Sequence, residues 1–214
     1  MIFLRHGGCG VTIPEMPEFL HFSTPRQIIS AIVFGAWIVF TLYWIATSWT
    51  GNKAQKREPP LERILHVLWL AAAFFLLSQD DLPIGPLNRQ FLPHRLWIAS
   101  LGAALVVAGI LFAIWARRHL GKNWSAEVTI RKEHSLIRSG PYARIRHPIY
   151  TGLLLAIVGT AIAVSEYRAL VAVAIFVIGW TLKAKKEEAF LTQEFGPAFE
   201  EHKRLTGFFL PRLS

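Results

Sequence analysis

LWIASLGAALVVAGILFAIWA, Leu96 to Ala116, is a run of 21 residues without a charge. At about 1.5 Å of rise per residue, a helix of that length matches a hydrocarbon core of roughly 30 Å. Ile28 to Thr50 is a second uncharged run, of 23 residues. Ile64 to Gln79 is a shorter third, with His66 inside it. On the C-terminal side, Ile149 to Ser165 and Ala169 to Leu182 are separated only by Glu166, Tyr167 and Arg168. That spacing predicts a tight helical hairpin entering and leaving by the same face. Its second arm is short, so its lower end is expected to continue beyond the membrane as a polar helix. The fold class read from this pattern is all-α: a polytopic integral membrane protein with about five transmembrane helices, a cytoplasmic loop and a C-terminal helix.

Composition agrees. Of 214 residues, 53% are hydrophobic and 17% charged, and the mean hydropathy is +0.37. Soluble domains carry about 25% charged residues. The apolar content excludes intrinsic disorder, and a lone Cys9 excludes a disulfide scaffold. The net charge of +9 comes from 23 Lys and Arg against 14 Asp and Glu. In a soluble protein it would suggest nucleic acid. Here the cations fall between apolar runs, so no nucleic-acid partner is expected and the charge is read as topology.

Segment 51–63 holds Lys53, Lys56, Arg57 and Arg63, segment 117–147 holds eight Arg and Lys, and the tail opens with Lys183, Lys185 and Lys186. Segment 80–95 holds only Arg89 and Arg95. The bias predicts an N-terminus outside and a cytoplasmic C-terminus, and a bacterial inner membrane is the expected location. The chain reads as one domain: a tail over 1–27, three spans over 28–116, and a loop, hairpin and C-terminal segment over 117–214. The tail makes a poor signal peptide, because Met1 to Arg5 is too short for an apolar core and Gly7, Gly8, Pro14 and Pro17 break the residues after it. Phe19, Leu20 and Phe22 could rest it on the membrane surface.

Chemistry concentrates before the fourth span, in HSLIRSGPYARIRHPIYTG, His134 to Gly152. Pro148 stands where a helix would start. Arg146 and His147 flank that start, where free N–H groups and the helix dipole favour an anion. At the foot of the fifth span, Lys183 and Glu187 share a helix face. The hairpin returns both ends to one side of the membrane, so a cationic helix start would face an acidic helix end. Such a pair suits a zwitterionic, water-soluble ligand at the membrane surface. The bland alternative is a helical membrane protein with solvated basic loops. No phosphate loop, dinucleotide fingerprint or H-E-x-x-H zinc motif occurs, and no metal site is expected. His66 is read as a hydrogen-bonded residue at a helix contact rather than a proton relay.

At these residues the chain resembles the isoprenylcysteine carboxyl methyltransferases and the related membrane phospholipid methyltransferases. The family pattern, roughly H-x-L-x-x-x-G-x-Y-x-x-x-R-H-P-x-Y-x-G, is met by His134, Leu136, Gly140, Tyr142, Arg146, His147, Pro148, Tyr150 and Gly152. Glu187-Glu188, Phe195-Gly196 and Gly207-Phe208-Phe209-Leu210-Pro211 come after it in the same order as in the family. The resemblance covers about residues 120–211. It implies a cytoplasmic site for S-adenosyl-L-methionine, with cofactor contacts at His134, Ser135, Leu136, Ile137, Tyr142, His147, Pro148, Ile149, Tyr150 and Glu187. A further contact would fall near Glu127, an acid where the family has a neutral amide. Lys183 stands at the position of the family's substrate-contacting arginine and keeps the charge without the bidentate fork. Phe199 and His202 stand where tyrosines are common.

The activity so implied is methyl transfer to a lipophilic acceptor, isoprenylcysteine carboxylate-like or phospholipid amine-like, reached from the membrane lipids. Lys183, Arg146 and Glu188 form the candidate catalytic set. A carboxylate acceptor needs no base; for a thiol or amine the candidates are Glu188, His147 and His202. Two other readings stay open. One is a membrane NADPH-dependent reductase of sterol type, using Arg131, Lys132, Arg138 and Arg144 on the phosphates. The other is a non-enzymatic adaptor whose basic face binds anionic lipid.

Overall fold

The computed structural model describes residues 24–48, 60–79, 84–121 and 136–212. Among them the chain forms α1 (Pro25–Ser48), α2 (Pro60–Ser78), α3 (Leu96–Leu120), α4 (Pro148–Val164), α5 (Tyr167–Phe195) and α6 (Pro197–Leu205). Short 3-10 turns lie at Gly85–Asn88 and Gly140–Ala143. No strand occurs among the described residues; backbone pairing outside the helices is limited to the isolated bridges Gln90–Glu166 and Ile145–Gly207.

The apolar runs become the helices. α1, α3 and α5 are long and apolar enough to cross a membrane, and α4 and the Val67–Ser78 part of α2 are shorter apolar helices. The chain is thus an all-helical, multi-pass membrane protein. α5 runs unbroken from the hairpin turn to Phe195, so its last turns form the polar extension expected of the short second arm. α1 shows the lipid-facing pattern: Phe34, Val39, Leu42 and Ile45 are exposed on it, while Val33, Trp37 and Phe40 face the bundle.

Two helices set the frame. α3 and α4 run antiparallel with glycine opposite glycine. A Cβ added to Gly102 would stand 2.6 Å from the Gly159 carbonyl oxygen, and one on Gly152 would stand 2.6 Å from that of Gly109. Each helix carries its two glycines seven residues apart, with Ala103, Val106, Ala113 and Ala156 buried beside them. In lipid the hydrophobic effect between helices is weak, so close backbone packing of small residues supplies the attraction. α5 lies against α4 and α2 through Phe176, Trp180, Ala169 and Ala172. Two indole N–H groups bond across helices: Trp37 Nε1 donates to Thr160 Oγ1 at 3.1 Å, and Trp69 Nε1 to the Ile175 carbonyl at 3.1 Å.

The hairpin turn is stitched at its closed end. Ser165 takes a left-handed conformation (φ 63°), and its Oγ donates to the Ile162 carbonyl. The Phe91 amide donates to the Ser165 carbonyl and the Tyr167 amide to that of Arg89. Arg168 is fully buried, its Nε 2.6 Å from Glu166 Oε2 and its Nη1 donating to the Leu76 carbonyl at the end of α2. These ties fix the closed end of the hairpin, opposite the end where α4 begins and α5 turns polar.

Candidate functional site

α4 starts at Pro148 with His147 as its N-cap. Proline is suited to the first helical position because it has no N–H to leave unsatisfied. One turn in, Tyr150 projects toward α5. Its hydroxyl donates to Glu187 Oε1 at 2.6 Å, and its ring stacks on Trp180, with centroids 6.1 Å apart. Lys183 precedes Glu187 by one helical turn, half-buried and within electrostatic reach of that carboxylate.

His147 lies between two carboxylates. Its Nε2 is 3.2 Å from Glu188 Oε1 and its Nδ1 is 3.6 Å from Glu187 Oε2. Burial alone would lower the imidazole pKa. The hydrogen bonds and the charges of Glu187 and Glu188 outweigh burial and hold it above the ordinary histidine value. Arg146 is committed elsewhere: its Nε donates to Glu188 Oε1 at 2.5 Å, and its Nη1 to the carbonyls of Thr206 (2.5 Å) and Lys203 (3.2 Å). Only 13% of the Arg146 side chain and 15% of that of Glu188 meet solvent, against 29% for Glu187.

The C-terminal segment closes over this cluster. The Arg146 amide donates to the Gly207 carbonyl, the His147 amide to that of Phe208, and the Gly207 amide to that of Arg144. Thr151 Oγ1 donates to the Phe209 carbonyl at 2.7 Å. The Phe208 and Phe209 rings lie 4.9 Å and 6.2 Å from the His147 ring, and the Arg146 guanidinium sits over Phe208. α6 carries this strap. Phe199 and His202 are buried beneath it, and burial with the nearby Arg138 and Arg146 lowers the His202 pKa against the opposing pull of Glu188.

On the other flank, Tyr142 is buried at the 3-10 turn; burial first, then the Glu187 charge, raises its hydroxyl pKa, with Arg117 opposing. Arg138 pairs with Glu201 at 3.0 Å and also donates to the Ala198 carbonyl, tying this loop to α6.

Of the residues singled out in the sequence, Arg146, His147, Tyr150, Glu187 and Glu188 converge, with Lys183 one turn above Glu187 and Tyr142 close by. Pro148 and Ile149 form the first turn of α4, and Leu136 and Ile137 lead into the Tyr142 loop. His134, Ser135 and Glu127 lie outside the described residues, as does the tail over 1–23. Sequence reading placed Arg146 at an anion-favouring helix start, whereas in the structure that guanidinium is spent on Glu188 and two carbonyls. It missed the strap's pairing with residues 144–147, which runs through backbone atoms. Among the described residues, no three His, Cys, Asp or Glu side chains gather as a metal-binding group.

Comparison with known proteins converges on these elements. Residues 102–193 match the sequence profile of the isoprenylcysteine carboxyl methyltransferase (ICMT) family. The cobalt-zinc-cadmium resistance protein CzcN of Cupriavidus metallidurans is 36% identical over 121 residues, 55% of this chain and 53% of that protein. Protein-S-isoprenylcysteine O-methyltransferase B of Arabidopsis thaliana is 30% identical over 116 residues, 52% of this chain and 58% of that protein. The chain thus spans between half and three fifths of the length of these curated relatives. The solved structure of the eukaryotic intramembrane Ras methyltransferase ICMT superposes with a TM-score of 0.60 at 19% identity, over 89% of this chain and 68% of that one. That likeness shows the fold. Residues 102–193 thus carry the sequence profile of the isoprenylcysteine carboxyl methyltransferase family, on a helical fold like that of the solved ICMT structure.

Proposed function

We propose that the protein is an S-adenosyl-L-methionine-dependent methyltransferase. It acts at the cytoplasmic membrane face on a lipophilic acceptor, isoprenylcysteine carboxylate-like or phospholipid amine-like. The observation that carries this reading is the meeting of Tyr150 and His147, from the start of α4, with Glu187, from the foot of α5. These are residues of the R-H-P-x-Y and E-E motifs, within the stretch that matches the family.

The donor set fits the cofactor chemically. Glu187 is the more exposed carboxylate of the pair and suits an ammonium or ribose hydroxyls. First-turn helix amides have no intrahelical acceptor and suit a carboxylate. Tyr142, Leu136 and Ile137 would supply the apolar side. Bound there, S-adenosylmethionine would supply an electrophilic methyl group on a sulfonium, whose neutral thioether is the leaving group.

The chain's own part is alignment and exclusion of water, for which effective molarity can supply about 7–11 kcal/mol. Tyr150 fixes one Glu187 oxygen and His147 lies against the other. Arg146 and Glu188, by satisfying each other, position this pair and hold the Phe208–Phe209 strap over it. Lys183, nearest the apolar part of α5, meets the anionic end of an acceptor arriving laterally from the bilayer. The orientation is the one the Lys and Arg bias sets, with both helix ends in the cytoplasm and the chain in a bacterial inner membrane.

Calorimetric titration of the purified protein with S-adenosylmethionine tests the reading, with NADPH in parallel. Saturable binding, lost in Glu187→Ala and kept in the exposed control Arg26→Ala, is the expected result. Labelled methyl transfer to an S-prenylated cysteine or to a lipid extract then identifies the acceptor. A folded parent that binds NADPH and not S-adenosylmethionine would overturn the proposal.

A further inference from the structure

α3 ends in Arg117, Arg118 and His119, the basic residues of its last turn. Position there is favourable for any cation, yet His119 is not simply solvated. Its Nε2 lies 2.9 Å from Ser139 Oγ, and its ring stacks on Tyr142 with centroids 6.4 Å apart and planes 21° from parallel. Gly140, between those two contacts, is packed against the same ring. A Cβ at Gly140 would stand 2.6, 2.7 and 2.8 Å from its Cε1, Nε2 and Nδ1 atoms, and the residue's φ of +58° already disfavours a side chain. Three features of the loop thus fit one imidazole.

The place of that imidazole matters. α3 is locked to α4 by the facing glycines, so its end is fixed relative to His147 and Tyr150. Arg117 anchors the same turn to α1, its Nη2 donating to the Thr47 carbonyl at 3.0 Å. The other side of the loop is tied to α6 by Arg138, which meets Glu201 and the Ala198 carbonyl. His119 is therefore the contact through which the rigid α3–α4 pair sets the position of Tyr142, a buried residue within electrostatic reach of Glu187.

We infer that His119 is a positioning residue for the Ser139–Ala143 loop, holding Tyr142 in place at the cofactor site. The inference rests on the cofactor reading proposed for that site. His119 itself touches no reacting atom. It fixes the wall of the site, so its loss should raise the cofactor's Kd and KM while kcat at saturation stays near the parent's.

The test compares parent, His119→Ala, His119→Gln, Ser139→Ala and the His119→Ala/Ser139→Ala double variant. S-adenosylmethionine affinity is measured by calorimetry, and hydrogen exchange is followed at amides 139–145. Loss of one hydrogen bond and a ring contact predicts an affinity about three- to tenfold weaker in His119→Ala. Gln keeps an amide near the place of Nε2 and should recover most of the affinity. The double variant should be no weaker than His119→Ala. Parental affinity in His119→Ala, or additive losses in the double variant, would overturn the inference. If the folded parent does not bind S-adenosylmethionine, the cofactor reading fails on its own. Hydrogen exchange then decides the role of His119: faster exchange in His119→Ala supports the clamp, and an unchanged rate refutes it.

Discussion

Replacing Arg146 with Gln should release the C-terminal strap. The guanidinium makes a 2.5 Å bond to Glu188, sits over the Phe208 ring, and bonds to the Lys203 and Thr206 carbonyls at 3.2 and 2.5 Å. Gln can replace at most part of this and carries no charge, so Glu188 keeps His147 as its remaining close partner. Breaking a buried ion pair by removing one member costs about 3–5 kcal/mol. Both groups retain a little exposure, 13% and 15%, which brings the expectation to roughly 2–4 kcal/mol. Two readouts apply: apparent Tm in detergent, and hydrogen exchange at the amides of Arg146, His147 and Gly207, which are bonded across the strap. Arg146→Lys should fall between parent and Gln, because an ammonium keeps the charge without the fork. In the Arg146→Gln/Glu188→Gln double variant the loss should be smaller than the sum of the two single losses by about 1–3 kcal/mol. A parental exchange rate at those amides in Arg146→Gln, or strictly additive losses, would refute the strap argument.

Gly109→Leu should collapse the α3–α4 contact and abolish recovery of folded protein, since a Cβ there already meets the Ala156 nitrogen at 2.6 Å. Gly35→Leu, with nothing within 4 Å, should be recovered at the parental level; size-exclusion of solubilised protein reads both. Tyr150→Phe keeps the Trp180 stack and loses the 2.6 Å bond to Glu187. Its apparent Tm should hold while cofactor affinity falls about three- to tenfold by titration. Because the folded-state pKa of His147 is raised, its contribution to stability is full below about pH 6.5 and is lost as the pH rises through the elevated value. A Tm series across that range should fall more steeply for the parent than for His147→Asn. His202 is shifted the other way, so its contribution falls away as the pH drops below about 6.5, and His202→Asn should flatten the acid side of the same series.

How each contact is encoded decides whether the sequence displays it. Spans are encoded by composition over some twenty positions, so the runs at 28–50, 64–79, 96–116 and 149–165 reappear as α1 to α4 with ends moved by a few residues. The hairpin was readable because three residues leave no room for anything but a turn. The meeting of Tyr150 with Glu187 was readable at one remove, since a hairpin must return both ends to the same side. The glycine pairs at 102 and 109 and at 152 and 159 carry a seven-residue signal that was available, but it says which face is small, not which helix it meets. The strap was hidden. Segments 144–147 and 206–209 pair through backbone atoms, which every residue type possesses, so no side-chain pattern records the register. Arg168 was hidden for a related reason: between two spans it reads as a solvated loop charge, yet it is fully buried against Glu166 and the end of α2.

The paired carboxylates show why position on a helix, more than residue type, assigns a role. Glu187 and Glu188 are neighbours in sequence and so project about 100° apart around α5. That rotation turns Glu188 toward α6 and the strap, where Arg146 and His147 both reach its Oε1. It turns Glu187 toward α4, onto the Tyr150 hydroxyl and below Lys183, with nearly twice the solvent exposure. A carboxylate with a guanidinium and an imidazole both on its Oε1, and with little of it meeting solvent, is a poor ligand for an incoming cation. Glu187, with the Tyr150 phenol at 2.6 Å on one oxygen, His147 at the longer 3.6 Å from the other, and more of its surface open to solvent, has capacity left. His147 touches both, so any change at Glu188 reaches Glu187 through the imidazole. The same physics separates the expected phenotypes: Glu188→Gln should loosen the strap first and weaken cofactor binding through it, whereas Glu187→Gln should weaken binding with the strap amides still protected. Identical exchange patterns in the two variants would mean that the carboxylates act as one unit, and that this division of labour is wrong.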